Sequence, residues 1–217
     1  MDGKKKKNLI SFILFLIAIV FTILVKLIDV KAIGPDNSVV GFATINQFVF
    51  DNIGVNMFWY KVSDLLGLIP FLLVLIYAFY GFIQLVKRKH LFKINKEILL
   101  LGGYYVVIFM LYILFEKFIV NYRPVLLDGV LEASYPSSHT LMGIFICGSA
   151  ILVNKKVFSK KIFNIFNILL FFVLISIVFT RLISGVHWFT DIIGGIIISG
   201  ALLMSFSCLL DVLKKEN

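Results

Sequence analysis

The sequence is poor in charge, in cysteine and in arginine, and each shortage narrows what the chain is. Asp, Glu, Lys and Arg make up 15% of its 217 residues against 60% hydrophobic, and the mean hydropathy is +1.02. A soluble domain of this length cannot bury so much apolar surface, which leaves lipid as the main solvent. Strict apolar–polar alternation is missing, and with it the signature of a membrane-spanning barrel. The apolar residues come instead in runs of roughly 20, the length that carries a helix across a bilayer with its backbone polar groups satisfied internally. The fold class read from this is all-α integral membrane. Cys147 and Cys208 both fall inside apolar runs and read as small core residues, not as a disulfide. Internal repeats are absent, the lysine tracts are the one compositional bias, and residues 1–217 read as a single domain.

Six transmembrane helices are expected, near residues 8–28, 65–86, 97–116, 138–153, 162–180 and 191–210. The first follows KKKK at 4–7 and precedes a passable cleavage site at Val30-Lys31-Ala32, as a signal peptide would. Its apolar run from Leu9 to Val25 is long enough to anchor, so it is expected to be retained. Six spans put both termini on one side. With the termini inside, 15 of the 21 Lys and Arg residues are inner and six are outer, which predicts cytoplasmic termini in the cell membrane. The net charge of +9 is held in short tracts between apolar runs, including Lys155, Lys156, Lys214 and Lys215. These read as topology signals and contacts for anionic lipid heads. No aromatic–basic face suited to stacking bases goes with them, so a nucleic-acid partner is not expected. Between the first two spans, a turn at Gly34-Pro35-Asp36-Asn37 is followed by Phe42, Ile45, Phe48, Val49 and Ile53 at helical spacing. Asn46, Gln47 and Asp51 lie opposite, and Trp59 and Tyr60 follow. This predicts an amphipathic helix lying in the outer interface.

Three polar clusters then fall at the same outer face by the count of spans alone: KFIVNYRP at 117–124, YPSSHT at 135–140 and RLISGVHWFTD at 181–191. The chain has 18 lysines and three arginines, and two of the three, Arg123 and Arg181, lie in these clusters. A lysine-rich chain that places arginine there needs a permanently charged planar fork, which fits phosphate or carboxylate. The plainer alternative is pairing with Glu116, Asp128 or Glu132. Pro136, Ser137 and Ser138 mark a helix start, whose free N–H groups and positive dipole end suit an anion, with the Ser137 hydroxyl as an added donor. His139 in that first turn opposes the dipole unless an anion is near. His187 and Asp191 are four apart and on a helix share one face, so the carboxylate can accept a hydrogen bond from Nδ1–H and leave Nε2 as a lone-pair nucleophile or base. Gly194, Gly195 and Gly200 read as close helix packing, Trp188 as an interface anchor and His90 as a solvated loop residue. Two histidines and an aspartate are a conceivable zinc set. Lys117, Arg123 and Arg181 around them suit a phosphoryl group better than a dication, so no metal or cofactor is expected.

Lys117-x6-Arg123-Pro124, Pro136-Ser137-Ser138-His139 and Arg181-x5-His187-x3-Asp191, in order and across residues 117–191, resemble the type 2 phosphatidic acid phosphatase (PAP2) superfamily. Two positions depart from its usual pattern: Ser138 stands where glycine is usual, and Thr180 where serine usually precedes the arginine. The resemblance implies a phosphatase in which His187 attacks phosphorus, Asp191 orients His187, and His139 protonates the leaving oxygen and then activates water. It also implies that Lys117, Arg123, Ser137 and Arg181, with the backbone near Ser138, hold the phosphoryl oxygens. The expected substrate is a membrane lipid phosphate monoester or diphosphate, with undecaprenyl diphosphate and phosphatidylglycerophosphate as the leading candidates. A lipid phosphotransferase with a non-water acceptor is the alternative. A transporter is disfavoured, because the span interiors lack the ionisable residues of a translocation route.

Overall fold

The computed structural model describes residues 3–153 and 160–213. Seven helices are found among these residues: α1 (Gly3–Leu27), α2 (Ala43–Ile53), α3 (Met57–Arg88), α4 (Lys96–Lys117), α5 (Ser138–Val153), α6 (Lys160–Ile183) and α7 (Phe189–Leu213). All but α2 coincide with an expected span, and α3 starts eight residues earlier than the expected 65. Five are long and apolar enough to cross a membrane, which makes this a multi-pass membrane protein. Of the six that coincide with an expected span, α5 alone falls short: its 16 residues rise about 24 Å, less than a ~30 Å hydrocarbon core. The expected tracts at Lys155, Lys156, Lys214 and Lys215 lie outside the described residues.

Packing follows burial. α5 touches α3, α4, α6 and α7, and Phe145, Cys147 and Ala150 on it are fully buried. α1 packs along α7 and is tied to its surroundings near both ends. Lys7 Nζ pairs with Asp211 Oδ2 at 2.6 Å, and the Thr22 hydroxyl meets the Tyr135 hydroxyl at 2.8 Å. Both cysteines are unpaired thiols, Cys147 in the core and Cys208 half-buried. Gly194 and Gly195 serve close packing as expected, since a Cβ would strike the Tyr135 ring or Thr140. Gly200 does not: nothing lies within 4 Å of where its Cβ would be.

The link between α1 and α3 departs from the all-helical expectation by one small ribbon. β1 (Lys31–Ala32) pairs antiparallel with β2 (Val39–Val40) across the expected turn at Pro35–Asn37. The helix expected around 42–53 is present as α2, but its faces differ from the sequence reading. Asn46, assigned to the watery side, is fully buried. Its amide donates to Gly41 O at 2.8 Å and Thr190 Oγ1 at 2.9 Å, and its carbonyl accepts the Thr190 N–H at 3.0 Å. A buried amide with every contact satisfied fastens α2 onto the first turn of α7, which outweighs the simple two-face pattern. Trp188 likewise is no interface anchor. It is buried, packs against Phe50 at 5.5 Å and donates its indole N–H to Tyr122 O at 2.8 Å.

Candidate active site

Helix ends and two loops meet at one end of the bundle. The last turn of α6 supplies Arg181 and the first turn of α7 supplies Asp191, each at the end where the helix dipole favours its charge. The loop between them carries His187. Its turn depends on Gly185, with φ +65°, whose Cβ would come within 2.0 Å of Gly54 O. Residues 118–137 fold back on themselves: Arg123 N–H donates to Glu132 O at 3.0 Å and Ser134 N–H to Asn121 O at 2.9 Å. That pairing delivers Arg123 and Ser134 to His187 from opposite arms.

His187 is 5% exposed, and its two ring nitrogens have different company. Arg123 Nη1 lies 3.3 Å from Nε2. A guanidinium only donates, so Nε2 is the lone-pair nitrogen and Nδ1 carries the proton. That N–H faces Ser134 O at 3.1 Å and Ser134 Oγ at 3.0 Å. Asp191 Oδ2 is farther, at 3.8 Å, and the Ser134 hydroxyl stands between, donating to the same carboxylate oxygen. The fully buried carboxylate also accepts Trp188 N–H at 2.9 Å and Asn121 Nδ2 at 3.2 Å. Burial, then Arg123, Arg181 and His139, push the His187 imidazole well below its ordinary pKa, so near neutral pH it is uncharged with Nε2 free.

Across from it, Arg181 is 1% exposed and spreads its fork over three partners. Nη1 donates to Ser63 Oγ at 2.7 Å and Asp64 Oδ1 at 2.9 Å, and Nη2 to His139 Nδ1 at 2.9 Å. His139 therefore holds its proton on Nε2, which lies 3.3 Å from Asp64 Oδ1. A nearby carboxylate is the anion that a histidine in a helix's first turn calls for. Arg123 pairs with Glu132 at 2.9 Å, so both arginines meet carboxylates as well as the site. Arg123, Arg181, His139 and Ser138 line a cavity of about 640 Å³, and a smaller recess against the same Arg123 and Ser138 reaches His187.

The structure thus gathers His187, Asp191, His139, Arg123, Arg181 and Ser138. Ser137 is adjacent but fully buried: its N–H is taken by Asp191 O at 3.0 Å, and its hydroxyl accepts from Thr140 at 3.1 Å. Lys117 ends α4 with its side chain exposed and does not line the cavity. Asp64, Ser63, Ser134 and Asn121 were not anticipated. Asp64 immediately precedes the expected second span, and an ionisable residue there was the available signal. Ser134 lies one residue outside the YPSSHT cluster.

Gly67 sets the position of His139. A Cβ there would lie 2.7 Å from the ring's Cδ2 and 3.0 Å from Nε2. Gly67→Ala is expected to push the imidazole off Asp64 and lower turnover by about 10²-fold, with helix content by circular dichroism unchanged.

Fold and site together define a helical membrane protein with a buried histidine, backed by serine and aspartate, facing two arginines and a second histidine. The chain belongs to the PAP2 superfamily, whose profile matches residues 73–214 and so takes in every one of the three clusters. Its fold is similar to that in the crystal structure of a transmembrane PAP2-type phosphatidylglycerolphosphate phosphatase from Bacillus subtilis. The TM-score is 0.60 and the identity 18%, over 95% of this chain and 96% of that one. No curated protein matches the chain.

Proposed function

We propose that this protein is a lipid phosphatase that hydrolyses a phosphate monoester or diphosphate through a phosphohistidine, without a metal. The single observation that carries the reading is the pair of oppositely wired imidazoles. His187 offers a lone pair at Nε2 beside Arg123, while His139 offers a proton at Nε2 beside Arg181. In the first step the phosphoryl group draws Arg181 from His139 Nδ1, and His139 enters as the imidazolium. His187 Nε2 bonds to phosphorus as the bond to the leaving oxygen breaks, and that oxygen takes the His139 Nε2 proton and leaves His139 neutral. In the second, His139 takes a proton from water, whose oxygen attacks phosphorus and releases phosphate and neutral His187. Charge gathers on the phosphoryl oxygens in both steps, and Arg123 and Arg181 are the groups fixed to meet it. Ser138 at the start of α5 contributes an N–H.

The apolar part of the substrate belongs between α3, α4 and α5. Cavities of about 230 and 240 Å³ run there from His139 past Gly67, Pro70 and Met142. In the membrane we read α5 as a sixth, shorter span and α2 as a helix at the outer interface, with its exposed Ile45 and Phe48 toward lipid. Cytoplasmic termini follow from the lysine distribution, and place the active site on the extracellular side. Undecaprenyl diphosphate and phosphatidylglycerophosphate are the leading substrates.

The test is phosphate release by purified protein in detergent with EDTA, from these two lipids and phosphatidate, beside a His187→Ala control. Release that survives EDTA and disappears in the variant is expected. No release from any lipid by folded protein, with a phosphorylated acceptor formed instead, would replace the hydrolase with a phosphotransferase.

A further inference from the structure

We propose that Asp64 determines which leaving group the site accepts: it favours a phosphate monoester whose leaving oxygen is on a hydroxylated carbon chain, and works against a diphosphate. The inference rests on the lipid-phosphatase reading of the same cavity and goes beyond it by choosing between substrate classes.

Asp64 stands on α3, outside the matched family region at 73–214, and lines the cavity beside Arg181 and His139. Its Oδ1 touches both Arg181 Nη1, at 2.9 Å, and His139 Nε2, at 3.3 Å. Those are the two groups assigned to the phosphoryl oxygens and to the leaving oxygen. An arriving phosphoryl group must therefore share or take Arg181 from Asp64. The side chain has two torsions on a helix, so its carboxylate stays within a few ångströms of the leaving oxygen. Whatever is attached to that oxygen lies against a negative charge.

A second phosphate attached there would be repelled, and the cavity has little to offset it. Arg181 already faces Asp64 and Arg123 already faces Glu132, while Glu116 adds another carboxylate to the same wall. No lysine lines the cavity among the described residues. A leaving group with a hydroxyl on a neighbouring carbon meets the opposite situation, because Asp64 accepts its hydrogen bond. A site built to hydrogen-bond a hydroxyl discriminates strongly against analogues that leave its polar group unpaired.

Three lipids with the same two acyl chains separate head group from tail: phosphatidylglycerophosphate, phosphatidate and diacylglycerol diphosphate. Wild type is expected to show kcat/KM at least about tenfold higher for phosphatidylglycerophosphate than for the diphosphate, as one like-charge contact at this range implies. Asp64→Asn keeps an acceptor for Arg181 and removes the charge. It is expected to shrink that ratio about tenfold, chiefly by lowering KM for the diphosphate. A wild-type preference for the diphosphate, or an Asp64→Asn change equal on all three lipids, overturns the proposal while leaving the phosphatase reading intact. Absence of phosphate release from all three by wild type overturns both. Inhibition of the wild type gives a reading independent of any variant's folding. Inorganic pyrophosphate is expected to bind no tighter than inorganic phosphate, and pyrophosphate binding tenfold tighter would overturn the proposal.

Discussion

His187→Ala is expected to lower kcat by about 10⁴-fold or more, with KM little changed and the fold intact. The buried network around it outlasts the ring, because the Asp191 carboxylate keeps Ser134, Trp188 and Asn121 as donors when the imidazole is removed. The companion variant is His139→Ala. Without a base for the second step, phosphoenzyme formed from a substrate with a good leaving group is expected to accumulate as an acid-labile label, detectable by rapid quench. No such label forms in His187→Ala. The pH profile tests the same residue. The proposed attack needs a neutral His187, and burial with the neighbouring Arg123, Arg181 and His139 holds its pKa well below the ordinary value near 6.5. The acid limb of kcat/KM, which reports the free enzyme, is therefore expected below that value. Arg123→Gln removes a cation and makes protonation easier, so the limb moves to higher pH. A limb unmoved by that change would mean that another group sets it.

The helix positions were legible because lipid as solvent leaves only helices and closed barrels, and long apolar runs without alternation select helices. The two histidines, the two arginines and Asp191 were legible because such groups are costly in an apolar chain and fall on one face by counting. What stayed hidden were contacts made by small polar residues through the fold. Ser134 Oγ sits 3.0 Å from His187 Nδ1 where the four-residue spacing suggested direct pairing with Asp191, which is instead 3.8 Å away. Helical spacing holds only inside a helix, and α7 begins at Phe189, so His187 lies before it on the loop. Asn46 and Trp188 were misplaced for a related reason. A polar or amphipathic side chain at a boundary was read as facing water or the interface, yet both find partners in the interior where α2 and the 118–137 loop close over α7. Asp64 was hidden because pairing across α3, α5 and α6 depends on helix packing, which periodicity does not encode.

Arg181→Lys keeps the charge and is still expected to cost about 10² to 10³-fold in kcat/KM. The guanidinium meets Ser63, Asp64 and His139 with two nitrogens held in one plane, and its carbon lies 5.1 Å from the Tyr60 ring centre. A lysine ammonium is one point at the end of a flexible stem, and it cannot reach three partners on α3 and α5 at once. The contact to His139 Nδ1 matters most for chemistry. Arg181 is the donor that holds the resting His139 ring with Nε2 toward the place proposed for the leaving oxygen. With lysine, the imidazole is free to turn and to point Nε2 away from the substrate. The loss should then depend on the leaving group. A substrate with a poor leaving group, which needs protonation, is expected to lose most in kcat, and one with a good leaving group such as p-nitrophenol to lose much less. An equal loss for both would mean that Arg181 acts on the phosphoryl oxygens alone, and that the His139 ring is held in place by Asp64 without help.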